Sequence, residues 1–148
     1  MLQDLLSNRV FWTAIVGWFA AQALKVVSGF MVNHKLDWKL FFASGGMPSS
    51  HTSTVVGLTT AVAFAEGLHS AAFAIAFVFS TVVMYDATGV RWETGKQARV
   101  LNYMMKNWHH SKKPEVFQEN LKIFVGHTPF QVWAGALLGL CIGILMQL

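Results

Sequence analysis

Gly45-Gly46-Met47-Pro48-Ser49-Ser50-His51 runs directly into an apolar stretch that begins at Thr52. The segment is dense in glycine and hydroxyl groups, and it reads as a loop turning into the first turn of a helix. Pro48 pre-sets φ, and Ser49 or Ser50 can cap the orphan backbone N–H groups. A helix start of this kind carries partial positive charge and unpaired donors, which suits an anion, phosphate above all. His51 then stands in the first turn, beside any anion held there. Taken alone, the same residues also serve as a plain solvated cap, so the flanking chain decides between the two readings.

The flanking chain is membrane-like. Of 148 residues 54% are hydrophobic and only 12% charged, against about 25% charged in a typical soluble domain. Mean hydropathy is +0.45. The length suits one domain, 1–148, embedded in a membrane. Upstream of the loop, Val10 to Val32 is rich in Trp and Phe and long enough to span a bilayer with some tilt. Gln22 and Lys25 interrupt it. An intramembrane lysine either faces a partner or a polar cavity, or snorkels to the interface from near the helix end. Asn33 to Ala43 reads as an amphipathic link in the interface, with Trp38, Phe41 and Phe42. Met1 to Asn8 is polar and contains Asp4, so no cleavable signal peptide is expected.

Downstream, Thr52–Glu66 and Ser70–Tyr85 are apolar runs joined by a turn at Gly67 and His69, a helical hairpin. Asp86 closes the second run. Ala87 to Thr128 is polar, and Arg91 to Trp108 suits a helix on the membrane surface, ended before Pro114. Phe130 to Leu148 is a final span, in which Gly135, Gly139 and Gly143 form a small-residue stripe for close helix packing. The expected fold is all-α: an integral membrane helical bundle of about four transmembrane helices plus interfacial helices, multi-pass, in a bacterial plasma membrane or an organellar membrane. Lys and Arg gather in Asn33–His51 and Ala87–Pro129, which the positive-inside tendency puts on the cytoplasmic side. His51, Asp86 and His127 then converge on one face from distant parts of the chain. Polar clusters in membrane proteins are kept where they are used.

Three groups carry chemistry: the Ser-Ser-His loop; Tyr85-Asp86-Ala87-Thr88-Gly89-Val90-Arg91 with Lys96; and Gly126-His127-Thr128-Pro129-Phe130-Gln131-Val132. They supply two histidines, an acid, the cations Arg91, Lys96 and Lys25, and a helix start. That set suits phosphoryl transfer, with cations and backbone donors neutralising phosphate oxygens, one histidine attacking phosphorus and the other protonating the leaving oxygen. No metal or other cofactor is needed. A divalent ion on His51, Asp86 and His127 is the competing reading, set against the lack of a paired carboxylate cluster or an HExxH-like pair. Arg91 and Lys96 also suit a solvated face, and Asp86 a helix-end pair with Arg91. The lone Cys141 sits in an apolar run, excluding a disulfide framework. The net charge of +4, spread beside apolar segments, favours anionic lipid over nucleic acid.

GGMPSSH, MYDATGVR with GKQA, and GHTPFQVWAG resemble, in order and over nearly the whole chain, the divergent type-2 phosphatidic acid phosphatase family. This family is related to acid phosphatases and vanadium-dependent haloperoxidases. The resemblance implies His51 as acid for the leaving group, Ser49 and Ser50 as phosphate contacts, and His127 as nucleophile. It implies a lipid phosphatase that cleaves a phosphomonoester or pyrophosphate through a phosphohistidine, with phosphorylated lipid as partner. Three departures stand out. Gln131 occupies the place of the acid that orients the nucleophile, where a neutral amide orients an imidazole without stabilising its cation. The arginine expected before the nucleophile is absent, with only Lys122 on the approach, and no Arg-Pro follows Lys25. Arg91 and Lys96 are expected to replace the missing cations and Asp86 the missing acid, with Gly46 and Gln131 supporting. A catalytically inactive binder or transporter of phosphorylated lipid is the alternative. The glycine stripe is compatible with a homodimer.

Overall fold

In the computed structural model, which describes residues 2–35, 37–42, 45–106, 121 and 128–148, every regular element is helical. A short α1, Leu2–Leu6, leads into α2, Arg9–Asn33. The Asn8 side chain caps α2 by accepting from Phe11 N at 3.0 Å. His34 ends it in the left-handed conformation at φ 52°, with its N–H on Phe30 O. The next element is a 3₁₀ turn, Trp38–Phe42, started by Asp37 Oδ1 accepting from Lys39 N at 2.9 Å.

That turn folds back onto α2. Phe41 packs against Trp18 and Phe19, with ring centroids 5.9 and 6.2 Å away, and Leu40 abuts Gly29. Aromatic burial folds the link back along the side of α2. The loop that follows therefore meets α2 at Ser28 and Lys25, well short of the helix end. Ser28 Oγ donates to Met47 O at 3.0 Å. Gly46 adopts φ +98°, a region that favours glycine, and a Met47–Pro48 cis bond precedes the next helix.

α3, Ser50–Glu66, is the central helix, packed against α2, α4 (Ala71–Thr88) and α6 (Pro129–Leu145). Ser49 caps α3, so Pro48 lies one residue before the cap rather than inside the first turn. The 67–70 turn joins α3 to α4 as expected of a hairpin. α4 runs on past Asp86 to Thr88, and α5, Val90–Lys106, packs against α4. Helices occupy the four apolar runs; among the described residues, α2 and the helical stretch that begins at Ala71 are long and apolar enough to cross a membrane, and α6 is a shorter apolar helix.

Contacts fix the register. Gly17 of α2 lies against Ser53 and Lys25 against Ser50, so α2 and α3 are antiparallel. Gly135, Gly139 and Gly143 face Ser49/Thr52, Ser53/Gly57 and Thr60/Gly57 in turn, so α6 runs parallel to α3. A Cβ on Gly135 would stand 2.5 Å from Ser49 O, and one on Gly139 would strike Ser53 O. The stripe therefore serves the close approach of α6 to α3 within the chain, which is the packing role its spacing suggests. Ser80 of α4 donates to Val55 O at 2.8 Å. At the opposite end Gln147 Nε2 donates to Thr13 Oγ1 at 3.1 Å.

The inside of this bundle mixes small apolar residues such as Ala21 and Ala61 with polar ones, and its outside is greasy. Its largest fully buried side chains are Thr13, Ser49, Ser50, Thr52 and Ser53, while Ile75 and Trp133 are 71% and 70% exposed. A core helix of a soluble protein buries its large apolar side chains; these helices turn them outward, toward lipid. The molecule is a membrane helical bundle.

Candidate functional site at the start of the central helix

Three segments meet where α3 begins. Lys25, 3% exposed, reaches from α2 and its Nζ donates to Ser50 Oγ at 3.1 Å. Of the two readings open for this lysine, the inward one holds. Gly46 packs against its stem, since a Cβ there would be 3.7 Å from Lys25 Cγ and Cδ. Ser49 N donates to Gln131 O at 3.1 Å, tying the loop to the first turn of α6.

Ser49 and Ser50 are both buried but do different work. Ser49 Oγ accepts from Thr52 N and from Thr52 Oγ1, at 3.4 and 3.0 Å, so its oxygen serves the cap. Ser50 Oγ takes the lysine. The first backbone bond at the start of α3 is Ser53 N to Ser49 O, and the helix start lies at Ser50, the kind of terminus whose positive dipole end suits an anion. His51 lies in the first turn with an exposed side chain.

Asp86 is half-buried on the last turns of α4. It lies six residues past Ser80, as Ser49 lies six before the partner of Ser80, Val55, so antiparallel register brings Asp86 to about the level of Ser49. Lys96 sits on α5 with its Nζ 2.7 Å from Glu93 Oε1 on an exposed face. That is the solvated arrangement its sequence also allowed. Arg91 belongs to α5, with its side chain outside the described residues; His127, Lys122, Trp108 and Pro114 lie outside them altogether.

Gln131 closes a capping box with Thr128. Its N donates to Thr128 Oγ1 at 3.4 Å, and its Oε1 accepts from Thr128 N at 3.2 Å. The amide oxygen is thereby committed to the start of α6, directly after His127. Gln22 is the residue that sequence reasoning passed over. It is 4% exposed on α2, one turn before Lys25. The spacing Gln22, Lys25, Ser28 inside an apolar span was the available signal, because residues three apart share a helix face. A groove of about 340 Å³ runs between α4 and α6, lined by Thr81, Tyr85, Thr88, Pro129 and Trp133 among others.

A buried lysine, a glycine-shaped loop and a helix start joined across three helices define the class: a helical membrane protein with a buried polar cluster at one end of the bundle. Residues 6–142 match the Divergent PAP2 family, and the chain belongs to that family. It is 37% identical to the uncharacterized membrane protein YuiD of Bacillus subtilis, over 97% of this chain and 96% of that protein. No solved structure matches.

Proposed function

We propose that the protein is a lipid phosphatase of the cytoplasmic membrane face, cleaving a phosphomonoester or pyrophosphate without metal. The observation that carries this reading is the buried Lys25–Ser50 pair at the start of α3. It stands next to His51 and is joined through Ser49 to the α6 turn that follows His127. A buried ammonium in a membrane protein is costly and is retained where it binds a charge. In this proposal Lys25, Ser50 and the α3 amides hold the phosphate. His127 attacks phosphorus as the bond to the lipid oxygen breaks, and His51 protonates that oxygen. Water then cleaves the phosphohistidine. Asp86 supplies the acid and Arg91 further positive charge, while Lys96 stays on the exposed face with Glu93. The groove beside Pro129 gives a lipid chain a place alongside the site. The same site, as one single domain of 148 residues, would act from within the bilayer.

The test is phosphate release by purified protein from a panel of lipid phosphates, in EDTA, beside His51→Ala and His127→Ala. Release that survives EDTA and disappears in both variants supports the proposal. A second reading, a lipid-phosphate binder without turnover, is favoured by one observation: Gln131, in the place of the orienting acid, spends its amide oxygen on Thr128. Lipid phosphate bound but never released by folded protein would select it.

A further inference from the structure

We infer that Gln22 is a second ligand-binding residue of this site, one that selects phosphate groups carrying a P–OH. This inference rests on the reading of the Lys25 site as a phosphate site and adds to it a residue and a specificity. Gln22 Oε1 is buried and has no hydrogen-bond partner, the sole buried side-chain nitrogen or oxygen of that kind among the described residues. An orphaned buried carbonyl costs about 1–3 kcal/mol, and an apolar span offers many side chains of similar size that would avoid the cost. The cost is sensible where something outside the chain donates to that oxygen.

Position says what the donor belongs to. Gln22 and Lys25 are one turn apart on the same face of α2, and helix side chains lean toward the N-terminus, so the lysine stem leans over the Gln22 turn. Lys25 donates and accepts nothing; the Gln22 carbonyl accepts and donates nothing. A ligand that engages both groups at once must present an anionic acceptor and a hydroxyl donor together. A singly protonated phosphate or phosphomonoester does so, through P–O⁻ and P–OH. A phosphodiester offers the same single negative charge with no donor. Sulfate, likewise, has no donor to give.

The test uses two small probes, inorganic phosphate and dimethyl phosphate, titrated calorimetrically into the purified full chain in detergent. The pH is set to about 5, below the second phosphate pKa of about 6, so that each probe carries one negative charge. Wild type is expected to bind phosphate roughly ten- to hundredfold more tightly than dimethyl phosphate, the range of one hydrogen bond to a charged group. Gln22→Met removes the orphan and keeps the volume. It is expected to unfold no more easily than wild type, to lose that preference, and to bind dimethyl phosphate as before. Gln22→Glu, of the same shape, is expected to weaken both probes by repulsion, and it covers the case in which Met disturbs folding. A wild type that prefers phosphate and variants that keep the preference overturn the inference alone. A wild type that binds neither probe overturns the phosphate reading and the inference with it.

Discussion

The two halves of the bundle use the same small hydroxyl residues in opposite ways. In the half around Gly57, Gly139 and Gly143, hydroxyls are turned back onto helix backbone. Thr60 donates to Val56 O, and Thr59 and Ser80 bond each other and Val55 O. There the hydroxyls satisfy one another, the glycines bring backbones together, and nothing is left over. In the half around Ser49 and Ser50, hydroxyls face a lysine and a loop, and a neighbouring glutamine carbonyl goes unpartnered. The first half is closed by packing; the second is built to be completed. The lesson is that buried serine and threonine in a membrane bundle do not by themselves mark a site. The surplus of unmatched polarity does.

Four substitutions press on that contrast, ordered from the largest effect. Gly139→Ala places a methyl group against Ser53 O and Gly57 N. Two backbones cannot step aside as a side chain tip can, so the loss should be about 3 kcal/mol or more, read as loss of the folded monodisperse protein in detergent. Lys25→Met should act on binding more than on folding. It strips Ser50 Oγ of its donor, so stability should fall by about 1–3 kcal/mol at most, while phosphate affinity falls about 100-fold with the loss of a charge-assisted donor. An unchanged phosphate affinity would make Lys25 a structural residue and erase the contrast. Ser53→Ala deletes the bond to Gly17 O at 2.9 Å and should cost about 1 kcal/mol, with phosphate binding untouched. Lys96→Ala opens an exposed pair with Glu93 and should shift stability by less than about 0.5 kcal/mol. It should leave phosphate release within about twofold of wild type, since Glu93 already holds that ammonium; a larger loss would place Lys96 at the phosphate.

Much of the fold was legible because bilayer length and apolar runs constrain each other. α2, the hairpin of α3 and α4, and α6 all fall where long apolar segments lie, and the four-residue glycine spacing foretold a close helix contact, which α6 makes with α3. The loop was legible as a capped helix start through Pro48-Ser49-Ser50-His51. The return of the 3₁₀ turn along α2 was not, because it depends on Phe41 meeting Trp18 and Phe19, a contact between distant residues with no local signature. Thr128-Pro129-Phe130-Gln131 has the spacing of a capping box, so the present role of Gln131 was written in the chain beside the one drawn from family resemblance. Gln22 and Lys25 were visible as interruptions of an apolar span, but inward burial comes from the helix packed over them.

The unequal lengths of the helices have a consequence for the bilayer itself. α2 has 25 residues and α3 and α6 have 17 each, about 37 Å against about 25 Å at 1.5 Å per residue. A hydrocarbon layer is about 30 Å thick. The short pair is mismatched, and Lys25, where α3 starts, stands eight residues, about 12 Å, below the end of α2. On the proposed function, a bilayer that thins to fit the short pair would bring headgroups down beside Lys25 and Ser50. A phosphorylated lipid could then meet the site by sinking, with its chains still in oil, and a thinner membrane would shorten the descent.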